Sequence, residues 1–273
     1  MTVREFLTNV LFILTVMGVG AALEIAVPFF AAKREGDRRG ANLAFSGLGF
    51  LVNWLLASTA AILAVTLRPA GLMSATAWSP TLRIVFGVVL LDFCVGYVSH
   101  RTLHMSPCLW RFHRIHHSDD FVDVTTTYRT HPVETVWRFL FSVVPVWLVG
   151  IPAQAVIIQR LLQTSFGIIE HSNVRLPCAV DRVLSTILVT PNLHKIHHSR
   201  LITETNSNYA NVLTLWDRML GTFTPSCRAY TVQYGLADSD PATLGSFPAL
   251  LAEPFRPTGR LTEKSGSQAL SPQ

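Results

Sequence analysis

Histidines at repeated short spacings are the residues of this chain best suited to chemistry. All ten histidines of the 273 residues lie between His100 and His198, and eight of them form three boxes. Residues three or four positions apart share a face of a helix, so each box presents its imidazoles in one direction. Imidazole is a good ligand for iron, zinc, copper and nickel, and the pattern predicts a metal-binding enzyme core. The boxes are His100-Arg-Thr-Leu-His104, His113-Arg-Ile-His116-His117 and His194-Lys-Ile-His197-His198.

The number of histidines predicts a dinuclear centre, because one such metal takes only about four to six donors. His171 directly follows an apolar stretch and is well placed to be a ninth ligand. His131 precedes Pro132 and has two interpretations. It is either a tenth ligand or a residue that ends a helix and bonds a backbone carbonyl.

Other metal and catalytic motifs are absent from the sequence. It contains no His-Glu-x-x-His, which argues against a zincin protease, and no Glu-x-x-His, which argues against a carboxylate-rich di-iron bundle. It also lacks a phosphate-binding Gly-rich loop and a Gly-x-Ser-x-Gly nucleophile elbow. What remains is a centre rich in nitrogen ligands.

The composition is that of a membrane protein. Hydrophobic residues make up 49% of the chain and charged residues only 14%, against about a quarter in soluble domains. The mean hydropathy is +0.37. Four cysteines without Cys-x-x-Cys spacing make a disulfide framework or a thiolate zinc site improbable, and no segment resembles a nucleic-acid-binding module.

Four apolar segments predict the membrane crossings, since a spanning helix needs about 20 residues. We expect helices over 6–30, 43–67 and 84–104, and a hairpin over 137–169 that turns at the breakers Gly150 and Pro152. A single crossing in the last segment would put the third box on the opposite side from the first two. The predicted fold class is therefore all-α, a multi-pass helical membrane protein.

Loop charge predicts the orientation of the chain. Residues 33–39 hold four basic side chains between the first two apolar segments, which places this loop in the cytoplasm. The histidines then belong to a cytosolic helical cap over 100–134 and 170–255. We expect one integral-membrane domain over 1–255 and a disordered tail over 256–273, where the composition turns to Gly, Ser, Thr, Lys and Gln.

Carboxylates near the boxes are candidates for orienting the histidines. Asp92 lies eight residues before His100, about two helical turns, and therefore on the same face. It either supports a ligand or forms an ion pair with an arginine such as Arg129. Asp119, Asp120 and Asp123 follow the second box and either orient its rings or lie in solvent.

Further motifs make the chain resemble the fatty acid hydroxylase/sterol desaturase superfamily over about residues 24–223. The resemblance implies an α-helical membrane oxygenase with a non-haem di-iron centre and a cytosolic catalytic cap. Such enzymes use O2 and two electrons to hydroxylate or desaturate lipid C–H bonds. The motifs beside the boxes are Asp92, Tyr97, Leu109-Trp-Arg-Phe-His113, Arg129-Thr-His-Pro132, Asn208-Tyr209 and Trp216-Asp-Arg-Met-Leu-Gly-Thr-Phe223.

The resemblance also implies roles for individual residues. Asn173 would supply an amide near the metals. The cofactor would be two iron ions, for which zinc can substitute in purified protein. No haem-binding His-Pro-Gly-Gly segment or four-cysteine cluster is present, so electrons would come from a separate reductase, ferredoxin or cytochrome. The ligands would be the eight boxed histidines, His171 and His131.

Two other functions fit a histidine-rich membrane protein. A metal transporter would hold its ligands at the bilayer midplane, whereas these boxes lie in Arg-rich, water-facing stretches. A zinc hydrolase needs only three protein ligands, far fewer than this chain offers. Within the oxygenase class, the sequence leaves sterol, hopanoid, fatty acyl, carotenoid and alkylglycerol substrates open, and hydroxylation, desaturation and ether cleavage as well.

Overall fold

The computed structural model describes residues 3–31, 38–67, 71–239 and 243–256, and their regular structure is helical. The only strand-like pairings within these ranges are two isolated bridges. The all-α class predicted from the sequence is confirmed. The α-helices are α1 (Val3–Ala26), α2 (Arg38–Leu67), α3 (Pro80–Leu91), α4 (Ser99–Met105), α5 (Pro107–His117), α6 (Pro132–Pro145), α7 (Ala153–His171), α8 (Cys178–Leu184), α9 (Pro191–His197), α10 (Ile202–Thr205), α11 (Leu215–Met219) and α12 (Phe247–Ala252).

Three helical segments of the described chain are long and apolar enough to cross a membrane. They are Arg38–Thr59, Pro80–Met105 and Pro132–Gly150. The apolar part of α1, Val10–Ala26, is shorter. The helix that carries the first histidine box begins at Pro80 and continues to Met105, because a π-helical stretch over Asp92–Val98 joins α3 to α4 without a break.

The segment predicted as a hairpin over 137–169 forms two helical arms. The first is α6 with a π-helical extension over Val146–Gly150, and the second is α7. Gly150 has a φ of +76°, which glycine adopts without strain. A Cβ on Gly71 would lie 2.2 Å from the Gly150 nitrogen, so two backbones meet at this turn. Because α7 is more polar than α6, it is not among the three candidate spans.

Short helices with well-formed N-termini carry the other two boxes. Ser106 accepts a hydrogen bond from the Leu109 amide at the start of α5, which has Pro107 in its first turn. Thr190 accepts one from the Leu193 amide at the start of α9, which has Pro191 in its first turn, and threonine followed by proline is a sequence pattern typical of a helix start. These caps satisfy free backbone N–H groups and fix where each box begins.

A buried polar network ties the second box to α2. Arg38 donates to Asp119 at 2.9 Å and to Asp123 at 2.5 Å, and both carboxylates are buried. Arg129, fully buried, donates to Asn42 at 2.9 Å and to the carbonyl of Ile115, which lies within the second box. The expectation that Asp119 and Asp123 lie in solvent is therefore wrong, because they neutralise an arginine inside the protein.

Much of the predicted tail cannot be compared with the structure. Of residues 256–273, only Arg256 belongs to the described part of the chain, and its carbonyl accepts a hydrogen bond from Arg111 at 2.8 Å. The disorder predicted for the remainder lies outside the described residues.

Candidate metal centre

Nine of the ten histidines converge into two adjacent groups in which each residue offers one nitrogen. Within each group these nitrogens all lie within 4.8 Å of one another. Eight of the nine rings are buried, and His104 is partly exposed. The first group contains His100, His104, His113, His117 and His197, and the second contains His116, His171, His194 and His198.

The second and third boxes divide their histidines between the groups in opposite ways. In α5, His113 and His117 belong to the first group and His116 to the second. The third box does the reverse, because His194 and His198 belong to the second group and His197 to the first. Each His-x-x-His-His box therefore contributes to both groups, which places them side by side.

Short contacts between ring nitrogens define the first group. The Nε2 atom of His113 lies 3.1 Å from that of His100 and 3.2 Å from that of His117. The Nε2 atom of His197 lies 3.1 Å from that of His100.

His171 is the centre of the second group. Its Nε2 atom lies 3.0 Å from those of His116 and His194, and 3.2 Å from that of His198. The Nε2 atoms of His194 and His198 are 3.1 Å apart. His171 comes from the last turn of α7, so this arm of the hairpin ends at the centre.

These spacings fit metal coordination. Metal–nitrogen bonds of about 2.1 to 2.3 Å place two donors at right angles about 3.0 to 3.2 Å apart. Several Nε2 lone pairs directed at one point would otherwise repel each other inside a buried site.

Hydrogen bonds to the outer ring nitrogens fix the tautomer of three ligand candidates. The Nδ1 atoms of His100 and His197 each lie 2.7 Å from a backbone carbonyl, of Tyr209 and Ser207 respectively. His171 Nδ1 lies 2.5 Å from the carbonyl of Gly167. Because a carbonyl only accepts, each Nδ1 carries the hydrogen and each Nε2 keeps a free lone pair for a metal.

Glu134 orients a fourth ring, and the sequence interpretation missed it. Its Oε2 atom lies 2.9 Å from Nδ1 of His113, and its Oε1 atom accepts a hydrogen bond from Arg138 at 2.9 Å. Both side chains of the histidine–carboxylate pair are buried. In the sequence, Glu134 is only an acidic residue in the first turn of a helix, which is common for electrostatic reasons alone.

Glu170 is a second carboxylate that the sequence interpretation missed. It is buried beside the second group and accepts a hydrogen bond from Asn211 at 2.9 Å. Its other oxygen lies 3.7 Å from Nδ1 of His194. The available signal was an acidic residue directly before His171 at the end of an apolar stretch.

The protein keeps the imidazoles outside the membrane spans neutral. Burial, followed by the neighbouring histidines, lowers the pKa of His116, His117, His194 and His198 well below the usual value. Burial also lowers the pKa of His171 to about 4 and that of His197 to about 3. Neutral imidazole is the form that binds a metal.

His131 belongs to neither group. Its Nδ1 atom accepts a hydrogen bond from the Val133 amide at 3.1 Å, which makes it the N-cap of α6. Beside a ligand role, the sequence predicted a residue that ends a helix and bonds a backbone carbonyl, whereas His131 begins α6 and accepts from an amide.

The two predicted supporting residues have other partners. The carboxylate of Asp92 accepts a hydrogen bond from the indole of Trp216 at 2.7 Å, whereas Arg129 is held by the network around the second box. The side chain of Asn173 is engaged by the backbone of Phe30, as donor at 2.9 Å and as acceptor at 3.0 Å. It therefore anchors the chain that follows α1.

A cavity of about 230 Å³ reaches both histidine groups. Its lining includes His100 from the first group and His116, His171 and His194 from the second. It extends from these rings between α2, α6 and α7, which makes it the natural place for a substrate.

The sequence model of the fatty acid hydroxylase family matches residues 84–222, which include all ten histidines. The chain belongs to the fatty acid hydroxylase family. The resemblance inferred from the boxes is thus confirmed.

Relatives of this fatty acid hydroxylase family member act on several lipids. This chain is 33% identical over 183 residues to the ornithine lipid hydroxylase OlsE of Rhizobium tropici, and the match covers 67% of this chain and 53% of that protein. It is 34% identical over 140 residues to an alkylglycerol monooxygenase of Danio rerio, covering 51% of this chain and 30% of that one. It is 29% identical over 156 residues to methylsterol monooxygenase 1 of Gallus gallus, covering 53% and 47%.

The matched part thus spans about half the length of these relatives or less. No solved structure matches the chain.

Proposed function

We propose that this protein is an O2-dependent lipid hydroxylase with two iron ions, one in each histidine group. The observation that carries the proposal is the pair of adjacent groups of five and four imidazoles, both reached by one cavity. The overall reaction converts a C–H bond, O2, two electrons and two protons into C–OH and water. The names of the relatives, which are hydroxylases and monooxygenases, favour hydroxylation over desaturation.

The histidines would hold the metals, and their outer hydrogen bonds would fix the direction of each ring. Bound iron would supply the activation of O2 and the oxidation of an unactivated carbon. His100, His171 and His197 use a backbone carbonyl to keep Nε2 free, and Glu134 does the same for His113 through a carboxylate. Pre-set rings lose little freedom on metal binding and retain their geometry when substrate arrives.

The location of the site also belongs to this proposal. The spans Arg38–Thr59, Pro80–Met105 and Pro132–Gly150 would cross the bilayer, with the histidines on the cytoplasmic face. The four basic residues over 33–39 support this orientation through the positive-inside rule. A lipid would enter from the membrane, and electrons would come from a separate reductase, ferredoxin or cytochrome in the cytoplasm.

Metal content and oxygen incorporation test the proposal together. We expect anaerobically purified protein to contain about two irons per chain, and membranes given a reductant and ¹⁸O2 to form a lipid carrying one ¹⁸O. A lipid comparison between a deletion strain and its parent identifies the product by its one extra oxygen. Trace iron, or a full complement of zinc with no uptake of O2, would reject the proposal.

A matched pair of variants ties the activity to the site. His116→Ala removes one of four donors in the second group, and we expect it to lose iron and turnover. His131→Asn is the control, because asparagine also caps helices and His131 lies outside both groups. Full activity of His116→Ala would contradict the assignment of the second group.

A further inference from the structure

One face of α7 is polar from the metal centre to the middle of the hairpin arm. Arg160, Thr164, Gly167 and His171 follow one another at intervals of three or four residues, and Gln163 lies three residues after Arg160 and four before Gly167, so all five share a face. Gln159, buried next to this row, donates to Gln163 at 3.0 Å. A helix that merely packs among membrane spans has no need of such a row.

The same polar side chains line the cavity that reaches the histidines. Asn53 of α2 and Tyr128 of the loop before α6 face them across it. Among the described residues around the cavity, only Phe139 and Gly167 lack a polar side chain. Several of these polar groups already have partners within the protein: Gln163 accepts a hydrogen bond from Gln159, and Asn211 donates one to Glu170. The cavity therefore combines polar groups, many of them paired, with apolar surface.

Two arginines line the cavity, and they differ in their partners. Arg138 donates to the buried carboxylate of Glu134 at 2.9 Å, which balances its charge. Arg160 forms no ion pair with a carboxylate in the described part of the chain, and its electrostatic neighbour is Tyr128. Burial raises the pKa of Tyr128 to about 12, so this phenol stays neutral near pH 7. The positive charge of Arg160 is left without a counter-charge.

Arg160 also lies deep along the membrane spans. Ala155 of α7 packs against Gly87, seven residues after the start of the Pro80–Met105 span. Arg160 is five residues further along, which puts it about 18 Å into a span about 39 Å long. An ionisable residue at such depth is costly and normally serves a function. Its side chain is exposed as well as lining the cavity, so it lies where the cavity opens on the side of the helix bundle.

We propose that Arg160 binds an oxyanion of the lipid substrate, a carboxylate or a phosphate. The polar part of the lipid would then occupy the space between Arg160 and the histidines, and its hydrocarbon chains would leave through the opening into the bilayer. This inference rests on the proposed hydroxylase function and sharpens it, because the oxidised carbon would belong to the polar part of an anionic lipid. Arg160 would be a substrate-binding and specificity-determining residue.

A pair of probes that differ only in charge tests the proposal. N-decanoylglycine carries a carboxylate, and N-decanoylglycinamide is its neutral counterpart. Binding of each is measured by calorimetry to the iron-loaded full chain in neutral maltoside detergent, kept anaerobic so that nothing turns over. We expect at least about tenfold tighter binding of the acid, as for a charge-assisted hydrogen bond. Decyl phosphate in a parallel titration distinguishes phosphate from carboxylate as the preferred oxyanion.

Variants of Arg160 and of a second arginine separate the effect of the Arg160 charge from general effects of losing an arginine. Arg160→Gln should remove the preference for the anions while leaving amide binding and iron content unchanged, and Arg160→Lys should restore part of it. Arg182→Gln, an exposed arginine of α8 outside the cavity, is the matched control and should bind like the parent. An Arg160→Gln protein that keeps the anion preference, or a parent protein without one, overturns the inference.

The outcome is distinguishable from that of the proposed function. Binding of the probes does not require turnover, whereas iron content and ¹⁸O incorporation test the hydroxylase itself. An active, iron-containing protein with no anion preference would contradict only the role of Arg160 and would leave the hydroxylase function supported.

Discussion

The two histidine groups differ more in how their rings are held than in how many they contain. In the first group, His100, His113 and His197 each have an outer nitrogen bonded to a carbonyl or a carboxylate. In the second group only His171 has such a partner. Within the described structure, the Nδ1 atoms of the other three are buried without a hydrogen bond: His116, His194 and His198.

This contrast implies different tasks for the two groups. Fixed rings favour tight retention of a metal, whereas rings without outer partners can tilt and accommodate a change in coordination. The cavity is lined by one residue of the first group and three of the second, His116, His171 and His194. We therefore expect the second group to hold the more exchangeable metal and to lie nearer the substrate.

Loss of one ligand should affect the groups unequally, and this is the largest effect we expect. His171→Ala leaves three donors in the second group and removes its best-held ring, so iron should fall from two to one per chain and turnover by more than about a thousandfold. His104→Ala leaves four donors in the first group and should retain both irons. Iron analysis and single-turnover assays on the two variants measure the difference. Equal iron loss from both would refute the contrast.

Acid should destabilise the metal-free protein strongly. The folded-state pKa of His171 is lowered to about 4 and that of His197 to about 3, whereas the unfolded chain takes up protons near 6.5. The unfolded state therefore binds more protons below about pH 6.5, and stability present above that pH is lost as the pH falls. One pKa unit is worth about 1.4 kcal/mol per histidine.

Tryptophan fluorescence against pH, on metal-stripped and iron-loaded samples, measures this effect. We expect the stripped protein to unfold well above the pH at which the loaded protein does, since bound metal competes with protons. A stripped protein that is as stable at pH 4 as at pH 6.5 would contradict the lowered pKa values.

A change in Glu134 should weaken the first group alone. Glu134→Gln replaces the carboxylate that orients His113, and such changes typically cost about 10- to 100-fold in metal affinity. Release of iron to a chelator, followed in time, should show one fast and one slow phase in the parent. In the variant the slow phase should accelerate while the fast phase stays as it was. Acceleration of the fast phase instead would assign Glu134 to the wrong group.

Removing the N-cap of α9 should have the smallest effect on stability and should loosen metal binding in both groups. Thr190→Ala removes the hydrogen bond that begins the helix bearing His194, His197 and His198, at a cost of about 1 kcal/mol. Thermal unfolding should shift by a few degrees, with both phases of iron release slightly faster. Thr190→Ser keeps the hydroxyl and should match the parent.

Side-chain spacing predicted the parts of this molecule that depend on local geometry. The three boxes, the all-α class and the start of α9 could be predicted because helical periodicity and N-cap residues depend only on residues close in the sequence. The predicted segment over 43–67 begins five residues late, since α2 starts at Arg38 among charged residues where hydropathy gives no signal.

The sequence could not predict what depends on distant partners. The carbonyls of Tyr209 and Ser207 that hold His100 and His197 have no side-chain signature. Glu134 looks like an ordinary first-turn acid, and its i,i+4 spacing to Arg138 does not reveal that it also holds His113. The allocation of histidines to groups likewise depends on how α5 and α9 pack, which their nearly identical boxes do not reveal.

The π-helical stretch over Asp92–Val98 has a consequence for how this chain tolerates length changes. Its wider turns hold about one residue more than α-helical winding would over the same rise. Deleting one residue there would return the stretch to α-helical winding and leave His100 and His104 in place, because the surplus is absorbed within it. The same deletion in the α-helical turns beside it would rotate the first box by about 100° around the axis and out of the centre. The helix can therefore lose a residue within this stretch, and not beside it, without changing the direction in which the first box points.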